Sequence, residues 1–184
     1  MAIDGMVQSP DDLHRRYGWA PIGEELRARQ LFLGGSKHAV HAAMTEQGFI
    51  GWHVFVANED FTDEHVALFW GHDYENMPLY PFAILDNASN QRSERARTTL
   101  GTLLANVYEF LPPYVPKLNP IERGFALIKK WIQDYEEAWT TKGLIYAAFQ
   151  YYSAENGEGK GAAVYPLFDV YRDNYNTANV VREL

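Results

Sequence analysis

One short stretch, residues 82–86 with the sequence FAILD, constrains the fold of this chain most. It is apolar without alternation, and it ends in an acid, Asp86. Such runs are typical of strands that are buried on both faces, as in a parallel or mixed sheet covered by helices. The stretch therefore predicts an α/β fold in which this strand lies centrally and presents Asp86 at its end.

The order of the other predicted elements agrees with a single sheet flanked by helices. QLFLGG, KHAVHAAMT and FIGWHVFVA, within residues 30–57, predict strands, and VYEFL predicts another. Helices are predicted after Thr62, after Ser93 as an N-cap, and from Pro120 onward. The apolar stripe of the last helix consists of Ile121, Phe125, Ile128, Ile132 and Tyr135.

The size and composition of the chain predict one principal domain. Its 184 residues fit a domain over 1–138 with an aromatic-rich helical extension over 139–184 packed on it; these aromatic residues are expected in the core or at a homodimer surface. The absence of cysteine excludes disulfides and thiolate metal sites. No apolar run approaches the roughly 20 residues that span a bilayer, and the N-terminus does not resemble a signal peptide. We therefore expect no membrane partner and no secretion, and a nuclear location in a eukaryote or otherwise a cytoplasmic one.

The charge of the chain argues at first against nucleic acid as a partner. The net charge is −8, whereas dedicated nucleic-acid binders usually carry a basic surface. Basic residues nevertheless cluster locally, at Arg15 and Arg16, at Arg92, and at Lys129 and Lys130. These clusters are either solvated faces or phosphate contacts.

Three acids occupy similar places in the predicted elements. Asp4 lies in the first apolar stretch, AIDGMV; Asp86 ends FAILD; and Glu122 lies in the first turn of the last helix. Three converging carboxylates repel one another, and oxygen ligands of this kind suit Mg²⁺ or Mn²⁺. Because the chain has 24 acids, this grouping alone is weak evidence. Only three residues precede Asp4, so we also expect its strand to be short and poorly anchored.

The sequence around these acids resembles a known family. The segment LPPYVPKLNPIERGFALIKKWI at 111–132, together with ILDNAS at 84–89 and RRYGWAP at 15–21, is similar to the motifs of the DDE transposase and integrase superfamily, in its Tc1/mariner and IS630-like branch. The resemblance implies an RNase H-like mixed sheet flanked by helices. It also implies that Asp4, Asp86 and Glu122 are the catalytic residues and the metal ligands.

The same resemblance implies an activity and its partners. The expected function is metal-dependent cleavage of DNA phosphodiesters at transposon ends, followed by strand transfer into target DNA, with two Mg²⁺ (or Mn²⁺) ions as the cofactor. Under this hypothesis the nucleic-acid-binding residues are Arg15, Arg16, Arg92, Lys129 and Lys130. The chain departs from the family pattern in three places. Members usually have Asp-Glu where this chain has Asp4-Gly5, and a Ser where it has Val115. They usually have a His where this chain reads Asn90-Gln91-Arg92.

The proline-rich motif also has a physical interpretation. Its prolines favour extended backbone before the helix, Asn119 is expected to cap the helix, and Pro120 suits its first position. Glu122 is then held in the first turn. The six histidines follow no zinc motif, so structural or surface roles are predicted; His38 and His41 are expected on opposite faces of a strand.

Two alternatives remain open at this point. A decayed or domesticated transposase fragment could keep the fold and serve as a DNA- or protein-binding module. This alternative is favoured by the net acidity, the short lead before Asp4, the missing helix-turn-helix region, and the departures at Gly5 and Gln91. An RNase H-like nuclease acting on RNA–DNA hybrids is the other alternative.

Overall fold

The computed structural model describes residues 1–9, 21–23, 36–57, 63–72, 82–89, 91–104, 108–113, 115, 118–134 and 141–156. The elements found there, in chain order, are β1 (Ala2–Gln8), β2 (Lys37–Thr45), β3 (Gly48–Ala57), α1 (Asp63–His72), β4 (Ala83–Leu85), α2 (Glu94–Leu104), β5 (Tyr108–Phe110), α3 (Ile121–Asp134), α4 (Thr141–Tyr151) and a 3-10 turn (Ala154–Asn156). The predicted strand QLFLGG, the predicted cap Thr62 and residues 157–184 of the expected extension lie outside the described residues.

The strands form one mixed sheet in the order β3-β2-β1-β4-β5. β1 pairs antiparallel with β2 and parallel with β4, β2 pairs antiparallel with β3, and β4 pairs parallel with β5. The prediction that the strand of FAILD lies centrally is therefore wrong in detail. β4 is an inner strand, but β1 takes the middle place because it joins the antiparallel and the parallel halves of the sheet.

Helices cover both faces of this sheet, as strands with buried residues on both faces require. Ala2 and Met6 of β1 pack in one core cluster with α3 and α4, whereas Ile3, between them in sequence, packs in a second cluster with α1 and α2. The predicted α/β class is confirmed by this layering. Within the described residues, none of the helices has the length and apolar composition needed to cross a bilayer.

The predicted anchoring of the first strand is wrong. β1 runs over seven residues, and Asp4 lies inside it rather than at a frayed end. The strand pairs with β2 along its whole length, from Ala2 to Gln8, and the Ile84 amide of β4 donates to the Met1 carbonyl at 2.8 Å. Two hydrogen-bonded neighbours therefore fix the backbone that carries Asp4.

The helix that carries Glu122 lies close to the sheet because of a glycine. A Cβ added at Gly124 would lie 2.6 Å from Met44 Sδ and 2.8 Å from Phe49 Cζ. The predicted stripe is confirmed at Ile121, Phe125, Ile128 and Ile132, all of which are buried. Tyr135, the fifth residue of that stripe, lies outside the described residues.

The start of α2 and the attachment of α4 complete the frame. The Ala96 amide donates to Ser93 Oγ at 3.1 Å, which confirms the predicted N-cap. After the α4 helix, the Tyr152 carbonyl accepts a hydrogen bond of 3.0 Å from the Phe49 amide of β3. Gly48 adopts a φ of 136°, and a Cβ there would lie 2.5 Å from that carbonyl, so only glycine suits this contact.

Candidate active site

Two of the three predicted acids are brought together by the register of parallel strands. Ile3 of β1 pairs with Leu85 of β4, so the next positions, Asp4 and Asp86, are neighbours across the two strands. Asp4 shares a sheet face with Ala2, which packs against α3. Both carboxylates therefore reach the same edge of the α3 side of the sheet.

The third acid lies across a cavity from this pair. Glu122 is in the first turn of α3 and is exposed. The cavity measures about 620 Å³. Its lining residues are Asp4, Asp86, Asn87, Ala88, Ser89, Arg92, Leu111, Pro112, Pro113, Val115, Asn119 and Glu122. The structure thus places all three predicted catalytic residues, and part of the proline-rich motif, on one cavity.

Three hydrogen bonds fix the position of the Asp4 carboxylate. Only 6% of Asp4 is exposed. Its Oδ1 accepts from the Gly5 amide at 2.6 Å and from Gln91 Nε2 at 3.4 Å, and its Oδ2 accepts from Asn119 Nδ2 at 2.6 Å. Asp86 Oδ1 accepts from the Ala88 amide at 3.2 Å. The site therefore fixes Asp4 more tightly than Asp86.

The electrostatics of the site disfavour its negative charges. Burial raises the pKa of Asp4 well above its usual value; the charge of Asp86 and, to a lesser extent, that of Glu122 raise it further, against the Gly5 hydrogen bond, which lowers it. Burial also raises the pKa of Asp86, against the hydrogen bond from Ala88. A bound divalent cation relieves this kind of repulsion and desolvation.

The donor set fits Mg²⁺ or Mn²⁺ in its chemistry, since it consists of carboxylate oxygens without thiolate or imidazole. The distances between the three carboxylates fit a shared ion less well than their chemistry does. Within the residues that the structure describes, no three acidic or histidine side chains lie close enough to hold one ion together. Asp4 and Asp86 form the close pair, while Glu122 lines the same cavity farther away.

Comparison with known proteins identifies the family. The model of the DDE superfamily endonucleases (DDE_3) matches residues 2–145, which is most of the chain. The chain belongs to this family. The family predicted from the three sequence motifs is thereby confirmed. No curated protein matches this DDE domain.

Solved structures share the fold of the DDE domain. The Mos1 mariner paired end complex with Mn has a TM-score of 0.55 and 16% identity over 97% of this chain and 56% of that one. The Mos1 transposase catalytic domain with raltegravir and Mn has a TM-score of 0.50 and 17% identity over 73% of each chain. The predicted RNase H-like fold is confirmed by this likeness. This chain spans about half the length of the first transposase structures it matches, 54% and 56%.

The predicted nucleic-acid-binding residues of the DDE domain lie in different places. Arg92 lines the cavity, and its Nη1 donates to Asn87 Oδ1 at 2.8 Å, directly after Asp86 in sequence. Lys129 and Lys130 are exposed on α3 and do not line the cavity. Arg15 and Arg16 lie outside the described residues. Arg92 is therefore the predicted DNA-binding residue that the structure places at the cavity of the acids.

Two residues of the DDE site were not predicted as such. The prediction that Asn119 caps α3 is wrong for its side chain, which donates to Asp4. The Glu122 amide donates to the Asn119 carbonyl instead, at 3.2 Å. Gln91 departs from the family pattern in sequence, and its side chain also contacts Asp4. No local signal could identify either residue, because their partner lies far away in sequence.

Proposed function

We propose that this DDE domain is the catalytic domain of a Tc1/mariner-type transposase. It cuts DNA phosphodiesters at transposon ends and joins the freed 3′-hydroxyl to target DNA. The observation that carries the proposal is the place of Asp4 and Asp86, each one residue beyond the Ile3–Leu85 pair of the parallel strands, at a cavity that Glu122 also lines. Further support comes from the shared fold of a mariner transposase that was solved as a paired end complex with Mn.

In this proposal Asp4, Asp86 and Glu122 would hold two Mg²⁺ or Mn²⁺ ions. When bound, such ions activate the attacking hydroxyl and stabilise the leaving oxygen of a phosphodiester. The protein contributes a fixed carboxylate, Asp4, on the central strand, and a second one, Asp86, beside it. Glu122, exposed on the first turn of α3 and lining the same cavity, would supply the third carboxylate.

The cavity and its cations define how DNA reaches the acids. A space of about 620 Å³, with Pro112 and Pro113 in its wall, admits a sugar-phosphate backbone. Arg92 is held beside Asp86 by Asn87 and contacts a phosphate near the cleavage point. Lys129 and Lys130 contact phosphates farther along the strand, and Arg15 and Arg16 are proposed to do the same.

The acidity of the chain limits how tightly this domain binds DNA by itself. With a net charge of −8, non-specific affinity is expected to be weak and strongly salt-dependent. The division at residue 138, a homodimer, and a nuclear or otherwise cytoplasmic location also stay proposals. A poorly anchored Asp4 would favour the alternative of a decayed remnant. Asp4 does not provide this support, because it lies within a seven-residue strand that pairs with β2 and β4.

Nicking of supercoiled plasmid DNA tests the function. We expect the wild type to nick in Mg²⁺ or Mn²⁺ but not in a chelator. Asp86→Asn and Glu122→Gln should each abolish nicking, because each removes a ligand charge while keeping the shape of the side chain. Glu109→Gln is a matched control: Glu109 is an exposed acid on β5 that does not line the cavity, and its variant should nick normally. Equal nicking by wild type and both site variants would show that the site is assigned wrongly.

A further inference from the structure

The first proposed metal ligand, Asp4, is held by amide side chains from two other segments of the cavity. Asn119 Nδ2 lies 2.6 Å from Asp4 Oδ2, and Gln91 Nε2 lies 3.4 Å from Asp4 Oδ1. All three residues are buried, with 3% of Asn119, 1% of Gln91 and 6% of Asp4 exposed. Neutral amides orient a carboxylate by donating to it, and they leave its negative charge in place for a cation.

Each of these amides belongs to a segment that carries another acid. Asn119 immediately precedes α3, and its carbonyl accepts from the Glu122 amide at 3.2 Å. Gln91 follows Asp86 in the connection between β4 and α2. Two side-chain hydrogen bonds therefore connect Asp4 with the segment of Glu122 on one side and with that of Asp86 on the other.

The orientation of Asn119 serves Asp4 at a cost to folding. Asn119 Oδ1 is buried and has no hydrogen-bond partner in the described part of the chain. An unpaired buried amide oxygen is unfavourable, so a residue that served stability alone would be expected to pair both ends of its amide. The bond that Asn119 does make is the one to the carboxylate.

We infer that Asn119 and Gln91 are positioning residues, which hold Asp4 in line with Asp86 and Glu122 for metal binding. This inference rests on the proposed function, since it takes Asp4 to be a metal ligand. Hydrogen-bond partners of metal ligands typically contribute about ten- to a hundredfold to metal affinity. Because the bond from Asn119 is shorter than the bond from Gln91, Asn119 contributes more.

Calorimetric titration of Mn²⁺ into the full chain tests this inference without measuring activity. Asn119→Leu keeps the approximate shape of the side chain and removes its donor, so Mn²⁺ affinity should fall by about ten- to a hundredfold. Gln91→Leu should cause a smaller fall. Gln91→His retains an N–H donor, and its affinity should lie between those of Gln91→Leu and the wild type.

A matched control separates positioning from general stability. Gln8 is a buried amide at the far end of β1, with 1% exposed, and its Nε2 lies 3.3 Å from the Ser9 carbonyl. It does not line the cavity. Gln8→Leu therefore removes a buried amide from the same strand without changing the neighbours of Asp4, and Mn²⁺ should bind to it as to the wild type.

The possible outcomes distinguish this inference from the proposed function. A wild type that does not bind Mn²⁺ overturns both. A wild type that binds, with Asn119→Leu and Gln91→Leu binding equally well, overturns the positioning role alone. Equal losses in those two variants and in Gln8→Leu also overturn it, because the effect is then one of stability. If Asn119→Leu does not fold, the order of Gln91→Leu, Gln91→His and wild type decides.

Discussion

Two ionisable side chains are buried in neighbouring strands of the sheet and face its opposite sides. Asp4 of β1 is 6% exposed and His41 of β2 is fully buried; His41 lies opposite Gly5, the residue after Asp4. The His41 ring packs edge-on against Phe69 of α1, with 4.6 Å between ring centroids. Burial lowers the pKa of His41 to about 3, so this imidazole is neutral at physiological pH.

Depth of burial alone therefore does not mark a functional site in this sheet. His41 is the more deeply buried of the two, but losing its proton removes the conflict with its apolar surroundings. Asp4 has a different solution, since it keeps two amide donors and a backbone N–H, and it faces further carboxylates across a cavity. Like charges at an open cavity, and not burial, distinguish the site from the core.

Plasmid nicking should respond most strongly when Asp4 and His41 are each replaced by an uncharged side chain of similar shape. Asp4→Asn removes a ligand charge and should lower the rate of Mg²⁺-dependent plasmid nicking by at least about a thousandfold. His41→Leu replaces a side chain that does not line the cavity by one of similar volume. The nicking rate of this variant should stay near that of the wild type. Rates are measured on matched amounts of folded protein.

Metal-free stability provides the control for this pair. Because the raised pKa of Asp4 means that its charged form is disfavoured in the folded state, Asp4→Asn should be at least as stable to urea as the wild type near neutral pH. Lost nicking in a variant of full stability cannot be attributed to unfolding. If His41→Leu is folded and also fails to nick, the comparison between the two faces is wrong.

The next effect is on the pH dependence of stability. The pKa of His41 is about 3 in the folded chain against 6.5 when unfolded, so below about pH 6.5 the unfolded state takes up a proton that the folded state excludes. The free energy of unfolding should fall by about 1.4 kcal/mol per pH unit from this cause. Between about pH 7 and pH 5 the wild type should therefore lose about 2 kcal/mol more than His41→Leu in urea titrations.

The carboxylates are common to both proteins in this second experiment, so their contributions cancel in the difference. The raised pKa values of Asp4 and Asp86 act in the opposite direction, since the folded state then binds more protons than the unfolded one as pH rises above the usual aspartate range. Parallel curves for wild type and His41→Leu would show that the imidazole is not confined to its neutral form.

The features that the sequence predicts well are local ones. The apolar run before Asp86, the cap at Ser93 and the stripe through Phe125 and Ile128 each depend on neighbouring residues only, and the structure agrees with all of them. The family motifs identify Asp4 and Glu122 as the other two site acids. Composition alone could not select them among the 24 acidic residues of the chain. These predictions brought together the residues of one cavity before any strand order was known.

The features that could not be predicted depend on distant partners. Asn119 looks like a helix cap in its own segment, but its side chain meets Asp4, which is 115 positions away in sequence. The central place of β1 likewise follows from its pairing with β2 and β4, and this pairing holds the strand of Asp4. Strand order decides both, and strand order is not a local property.

A weaker effect, on DNA affinity, tests how far the DNA-binding surface extends beyond the cavity. Arg92→Gln and Lys130→Gln should each lower the slope of log affinity for DNA against log salt by about one, if each contacts one phosphate. At saturating protein only Arg92→Gln should also slow nicking, because Arg92 lines the cavity and Lys130 does not. Unchanged slopes in both variants would mean that DNA approaches the acids along another surface. An equal slowing by both variants would mean that residues outside the cavity also hold the reacting phosphate. The functional surface on the Asp4 side of the sheet would then include α3 as far as Lys130.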